Sequence, residues 1–267
     1  MAQRGISQSG LGLYRSCPYA YKLKYLHGYK PMFWNFDVLD IGSYVHEAID
    51  KYYKLRFLTE ADSPNDVLYE TYDLLKQVWD TTLEPEGFKK AYTSLQNHAQ
   101  FEYNQIKSGI RSKPFTEVKI NARGYFGIID YADMSSMNII DWKTNRYPTL
   151  SYNYRMQAYI YKQLIDEHFN VDLKYFKFFF LFPNKWRTVK YDTPKMNEVA
   201  NDVEELKSMV SDSYKYDSFE KRPRTKKMCR NCLYKYYCMK MQMQMIEEQK
   251  EKNETVIDMD EWLKGTT

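Results

Sequence analysis

Apolar positions in this chain alternate or run together through its middle third and recur at helical spacing on either side. Phe115-Thr-Glu-Val-Lys-Ile-Asn-Ala-Arg alternates and predicts a strand. Gly127-Ile-Ile-Asp-Tyr-Ala-Asp and Asn138-Ile-Ile-Asp-Trp-Lys follow as two apolar runs around the polar turn Met134 to Met137, a hairpin or a pair of adjacent strands. Residues 150 to 168 predict an amphipathic helix, Lys174 to Phe182 and Lys185 to Tyr191 two strands around Pro183-Asn184, and Pro194 to about Ser211 another helix. On the N-terminal side, Ser7 or Ser9 caps a short helix that Cys17-Pro18 interrupts, and a second helix runs to about Leu26. After a loop around Pro31 to Asp37, Val45, Ile49 and Tyr52 or Tyr53 keep helical spacing. Two further helices are expected at 64–83, opened by Ser63-Pro64, and at 87–110, between Gly87 and Gly109. They read as a helical insert that covers a site or guides substrate, or as a solvated structural lobe. Met239 to Lys252 predicts a last helix, followed by an acidic, loose dozen residues. The pattern is that of an α/β fold with a mixed central sheet, in three stretches: helical 1–112, a core at 113–220, and a cysteine-bearing segment at 221–267.

Both central runs carry acids, and this changes the picture from fold to chemistry. Side chains alternate along a strand, so Asp141 and Lys143 share a face while Ile140 and Trp142 turn into a core. If the runs pair, Asp130 joins them at one strand end. Carboxylates brought together repel unless a cation lies between them, and hard oxygen ligands suit Mg²⁺ or Mn²⁺. Lys143 could then orient a water or stabilise charge developing at phosphorus. An exposed hairpin with a surface Asp-Lys pair is the plainer alternative. Glu117 is a third acid near this sheet. His46, one turn beyond Gly42, is a candidate ligand or a satisfied structural histidine. Gln157 and Tyr161, four apart, share a helix face.

The chain has 267 residues, a net charge of +4 and no apolar run of 18, and its first residues lack the apolar core of a signal peptide. A soluble cytoplasmic protein is expected, in a host cytoplasm if the chain is viral. The charge permits a polyanionic partner without demanding one. Aromatics reach 17%, with 26 Tyr, a composition that suits stacking on unpaired bases as well as ordinary half-buried packing. Reduced thiols are expected in that compartment, so Cys17, Cys229, Cys232 and Cys238 are candidates for metal rather than disulfides. Four soft ligands suit a structural Zn²⁺ or a [4Fe-4S] cluster. The adjacent basic run from Lys221 to Lys227 could contact phosphates.

Taken in order, Cys17-Pro18, Gly42-x-x-x-His46, Gly127-Ile-Ile-Asp130, Asp141-Trp-Lys143, Gln157-x-x-x-Tyr161 and Cys229, Cys232, Cys238 resemble the PD-(D/E)XK nuclease superfamily. Within it they resemble the RecB-like and AddB-like branch with an iron-sulfur cluster, and Cas-four-type CRISPR-associated nucleases and their viral relatives. The resemblance implies a restriction-endonuclease-like core with a helical lid and Mg²⁺ or Mn²⁺ on His46, Asp130, Asp141 and the Trp142 backbone carbonyl. It implies that Lys143 positions the attacking water, that Gln157 and Tyr161 steady the site, and that the four cysteines hold [4Fe-4S] in a structural role. Ile129 stands where the superfamily's name has proline, and Asp141 where other members have glutamate. The expected activity is an exonuclease or endonuclease preferring single-stranded DNA, leaving 5′-phosphate and 3′-hydroxyl ends. A non-catalytic DNA-binding or adaptor subunit in recombination, replication or CRISPR spacer acquisition is the rival, and a zinc-stabilised RNA-binding module a third reading. A homo-oligomer is compatible with all of them.

Overall fold

The computed structural model describes residues 5–31, 36–79, 85–109, 112–221, 224–241, 243, 244 and 247, with side chains for all but 36–40. Helices α1 (Gln8–Ser16), α2 (Pro18–Tyr25), α3 (Phe36–Leu55), α4 (Pro64–Val78) and α5 (Pro85–Lys107) precede strands β1 (Phe115–Ala122), β2 (Tyr125–Asp133) and β3 (Asn138–Lys143). Then come α6 (Tyr152–Phe169), β4 (Tyr175–Phe180), β5 (Lys185–Lys190), α7 (Pro194–Tyr216) and the short α8 (Lys226–Arg230). By contacts the described residues form two compact units. One takes those of 1–11 and 35–207, the other those of 12–34 and 208–267. Among the described residues, no helix is long and apolar enough to cross a membrane.

Element ends follow local chemistry. Ser7 rather than Ser9 caps α1, accepting from the Gly10 N–H at 3.1 Å. α3 starts at Phe36, inside the stretch expected to be loop. Ser63 and Asp66 form a capping box at α4, which ends where Trp79 turns extended (ψ 129) rather than reaching 83. α7 continues to Tyr216, past Ser211, because no glycine or proline intervenes before Asp217 takes a positive φ of 50°. β2 begins at Tyr125, two residues before the expected run, and ends at Asp133, so Asp130 lies within the strand and not at its end. Residues 239–241, 243, 244 and 247 are helical; the remainder of the expected 239–252 helix and the acidic last dozen lie outside the described residues.

The sheet order is β1-β2-β3-β4-β5. Its pairs are antiparallel except β3 with β4. A parallel pair needs a crossover, and α6 supplies it. Alternation then divides the faces. Ile140, Trp142, Tyr131 and Phe179 enter one core with Val45, Ile49, Tyr52 and Tyr53 of α3, Leu74 and Leu75 of α4, and Leu95 and Ala99 of α5. On the opposite face α6 approaches β2 at Gly127, where an added Cβ would lie 2.6 Å from Leu164 and 3.0 Å from Tyr161. The helices expected at 64–83 and 87–110 are α4 and α5, whose apolar faces pack into this core. The apolar positions of α5 bring His98 and Phe101 to the Trp142 ring, 5.6 and 5.5 Å between centroids, on the face away from Asp141.

A polar cluster is sealed into this core. Tyr53 donates its one proton to Glu102 at 2.9 Å, so the His98 Nε2, 3.2 Å from the same oxygen, is the donor of that pair. Burial holds the His98 ring neutral, lowering its pKa to about 3. An unfolded histidine takes its proton near pH 6.5. Between the two values the unfolded chain binds more protons, so stability is full above about pH 6.5 and falls as pH drops. The slope from this group is up to about 1.4 kcal/mol per pH unit. Urea midpoints are expected to fall less steeply between pH 6.5 and 4.5 in His98→Leu than in the unsubstituted protein; parallel slopes would assign the acid limb to other groups.

Candidate functional site

Strand register puts three carboxylates in one row. β1 and β2 pair Thr116 with Tyr131 and Val118 with Ile129, which sets Glu117 opposite Asp130. β2 and β3 pair Tyr131 with Ile140, which brings Asp141 beside Asp130 on the other flank. Glu117 holds a positive φ of 49° in this row, a strained conformation for a residue in a strand. His46 comes up from α3, where Gly42 leaves only 3.2 Å between a would-be Cβ and the Thr144 hydroxyl. Its Nε2 lies 3.0 Å from the Trp142 carbonyl. A carbonyl only accepts, so Nε2 carries a proton and Nδ1 faces the acids, 3.6 Å from Asp130 and 3.7 Å from Glu117.

On the other side of Asp130 the hydrogen bonds close into a chain. Lys143 pairs with Asp141 at 2.5 Å and donates to the Gln157 carbonyl at 3.2 Å. The Gln157 amide donates to Asp141 at 2.5 Å and to Tyr161 at 3.1 Å, and Tyr161 donates to the Ile128 carbonyl at 2.7 Å. Asp130 accepts the Trp142 N–H at 2.8 Å, a backbone bond supplied by a side chain. The residues singled out from the sequence thus fall in two adjoining sets, His46 and Asp130 with the Trp142 backbone, and Asp141 with Lys143, Gln157 and Tyr161, side by side through the register of β2 and β3. Asp141 is 2% exposed against 26% for His46 and 30% for Glu117, so solvent reaches the row from the His46–Glu117 side.

Electrostatics marks the row as a site of crowded charge. Burial, then the charge of Asp141, lifts the Asp130 carboxyl to about 7, against the opposing pull of His46 and Lys143. Burial works against a charged His46, but Asp130, Glu117 and Asp141 outweigh it and lift its pKa to about 9. The Lys143 ammonium, also penalised by burial, is held charged by Asp141 and Asp130. Burial and the same two acids keep Tyr161 protonated. Crowded negative charge raises His46 and adds to burial at Asp130, a pattern that a divalent cation would relieve. One ligand atom each from His46, Glu117 and Asp130 lies within 4.8 Å of the others, a donor set of one imidazole nitrogen and two hard oxygens that fits a divalent cation.

The alternation of β1 puts Glu117 near the sheet but not in this group; its position opposite Asp130 comes from register, which that alternation alone does not fix. Nor does the pattern of apolar positions mark Tyr154 and Phe178, whose rings lie 5.2 and 5.6 Å from the Lys143 ammonium. Tyr154 stands three residues before Gln157, a helical spacing that was available as a signal.

The cysteines belong to the other unit. Cys17, at the start of α2, lines with Cys229, Cys232 and Cys238 a cleft of about 540 Å³. Burial and the three neighbouring sulfurs raise the Cys232 thiol. The N-terminal and C-terminal segments of this unit are joined there directly: the Arg224 N–H donates to the Ser16 carbonyl at 2.9 Å, and Tyr29 stacks on Tyr237 at 4.3 Å.

No curated protein matches the chain. A family model described as PD-(D/E)XK nuclease superfamily matches residues 5–239, a span that takes in the whole carboxylate row and its lysine, and by that match the chain belongs to the PD-(D/E)XK nuclease superfamily.

Proposed function

We propose that this protein is a metal-dependent deoxyribonuclease of the RecB/AddB-like, Cas-four-type branch, preferring single-stranded DNA and carrying a structural [4Fe-4S] cluster. Members of the superfamily are generally nucleases that use divalent metals. The observation that carries the reading is the linkage of Lys143 to the acid row through Asp141 and Gln157. His46, Asp130 and Asp141 with the Trp142 carbonyl, joined by Glu117, would hold Mg²⁺ or Mn²⁺. Such an ion supplies a Lewis acid for the phosphoryl oxygen and acidifies water.

The rest is work for the side chains. An ammonium has three donors; Asp141 and Gln157 engage two of those on Lys143, and the third can hold the attacking water or a phosphoryl oxygen. Gln157 and Tyr161 fix the lysine and Asp141 relative to each other, because every proton between them is already committed. The water oxygen bonds to phosphorus as the bond to the 3′ oxygen breaks, and that oxygen takes up a proton, leaving the 5′-phosphate. Exposed Arg224, Lys226, Lys227 and Arg230 supply charge for phosphates in the cysteine-bearing unit.

For the cysteines, four thiols gathered on one cleft supply the donor set of a [4Fe-4S] cluster, and iron content against zinc content distinguishes it from a structural Zn²⁺.

Anaerobically purified protein is expected to cleave end-labelled single-stranded DNA with Mg²⁺ or Mn²⁺ and not with chelator. A circular single strand reports whether an end is required. Tight DNA binding without cleavage under either metal would replace this reading with the adaptor subunit.

A further inference from the structure

The segment directly after Lys143 has no regular structure, yet its backbone is held residue by residue. The Tyr147 carbonyl accepts from the Asn145 side chain and the Thr149 N–H, both at 3.0 Å. The Pro148 carbonyl accepts from Arg187 at 2.7 Å, that of Thr149 from the Ser151 N–H at 3.0 Å, and that of Leu150 from Arg155 at 2.5 Å. Four successive carbonyls are thus pinned. A surface loop ordinarily leaves such groups to water and moves.

What this stiff loop presents is an aromatic ring. Tyr147 is 71% exposed, with the Arg146 guanidinium 6.0 Å from its ring centre. An exposed tyrosine on a pinned backbone has only its own side-chain rotation to lose when something stacks on it, which is how pre-organised surfaces gain affinity. Tyr147 follows Lys143 by four residues, at most about 14 Å of extended chain, within a few nucleotides of a phosphate at the lysine. Tyr154 ties the two together. Its ring lies 5.2 Å from the Lys143 ammonium, and its hydroxyl donates to Asn145, the same side chain that holds the Tyr147 carbonyl.

We infer that the loop 144–150 is a seat for an unpaired nucleobase: Tyr147 stacks on a base of the strand whose phosphate lies at Lys143, and Tyr154 is the positioning residue that keeps this seat in register with the lysine. The inference rests on the nuclease reading and adds to it the element that selects single strands. In a duplex the bases stack on one another, so their faces are not open to Tyr147.

The test is equilibrium binding of a labelled single-stranded oligonucleotide in chelator, beside an oligonucleotide of the same length lacking bases, with steady-state kinetics in Mn²⁺. Tyr147→Ala is expected to weaken binding of the normal strand about tenfold, to leave binding of the base-free strand the same as that of the unsubstituted protein, and to raise KM more than it lowers kcat. Tyr147→Trp should restore affinity. Tyr154→Phe, which keeps the ring on Lys143 but releases Asn145, should move KM in the direction of Tyr147→Ala. Equal affinities of Tyr147→Ala and unsubstituted protein for the normal strand, with cleavage intact, would overturn the base seat and leave the nuclease. Equal losses on both oligonucleotides would overturn it too, since a base is then not what Tyr147 holds. Unsubstituted protein that neither binds nor cleaves DNA would overturn the nuclease reading and this inference together.

Discussion

Asp130→Ala is expected to lower the single-turnover cleavage rate at least about 1,000-fold. An ion in the row contributes several kcal/mol to the transition state, and about 4 kcal/mol corresponds to that factor. Asp130 is the residue on which most of the proposed site converges: it faces His46 at 3.6 Å, accepts the Trp142 N–H at 2.8 Å and stands between Glu117 and Asp141 in register. Alanine removes all of this at once. Trp142 is 1% exposed, so its N–H would be left buried without an acceptor, at a cost of about 1–3 kcal/mol. Loss of activity in Asp130→Ala could therefore report stability rather than ligation. Asp130→Asn separates the two, because the amide oxygen still accepts from Trp142 while the charge is gone. The expected result is a melting temperature near that of the unsubstituted protein with cleavage still down at least about 1,000-fold. An Asn variant that keeps more than about a tenth of the rate at saturating Mn²⁺ would remove Asp130 from the ligand set.

The same residues show how far the chain could be read before its structure was known. Period-two alternation assigned opposite faces to Asp141 and Trp142, and those faces carry the acid row and the α3–α5 core respectively. Pairing of the two central runs follows from their shared apolar character and the four-residue turn between them, so the meeting of Asp130 with Asp141 was legible. Glu117 was not, as a member of the group. Its place depends on the register of β1 against β2, and its positive φ is not a local preference of glutamate. The seat of helix α5 was not legible for a related reason. Its amphipathic pattern says that one side is buried and says nothing about which face of a sheet buries it. The order of the loop 144–150 was not legible either, because much of it comes from Arg155, Arg187 and Tyr154, side chains that lie on α6 and β5.

Cys232→Ser is expected to cost the cysteine-bearing unit its order while the sheet survives. Among the described residues, the cluster of buried side chains around the cysteines encloses Ala20, Leu23 and Tyr234, with Leu13, Tyr19, Tyr29, Tyr237 and Met241 half-buried about them. So small an apolar core supplies little of the free energy needed to order the segments that meet there, and small cores of this kind are commonly completed by a metal or a disulfide. The cysteines are free thiols, and the raised Cys232 thiol reflects burial first and then three sulfur neighbours, so losing one ligand loses a shared group rather than a single contact. Loss of brown absorbance and of bound iron is expected, with a melting temperature lower by about 10 °C, the shift that a few kcal/mol produces in a chain of this size. Amide exchange should rise in 12–31 and 224–241 and stay slow in β2, β3 and α6. Direct bonds such as Arg224 to Ser16 and the Tyr29–Tyr237 stack should keep the effect short of complete unfolding. One zinc per chain without iron would assign the four thiolates to Zn²⁺ instead, and a Cys232→Ser protein with unchanged exchange, melting and metal content would show that the cleft holds no structural metal at all.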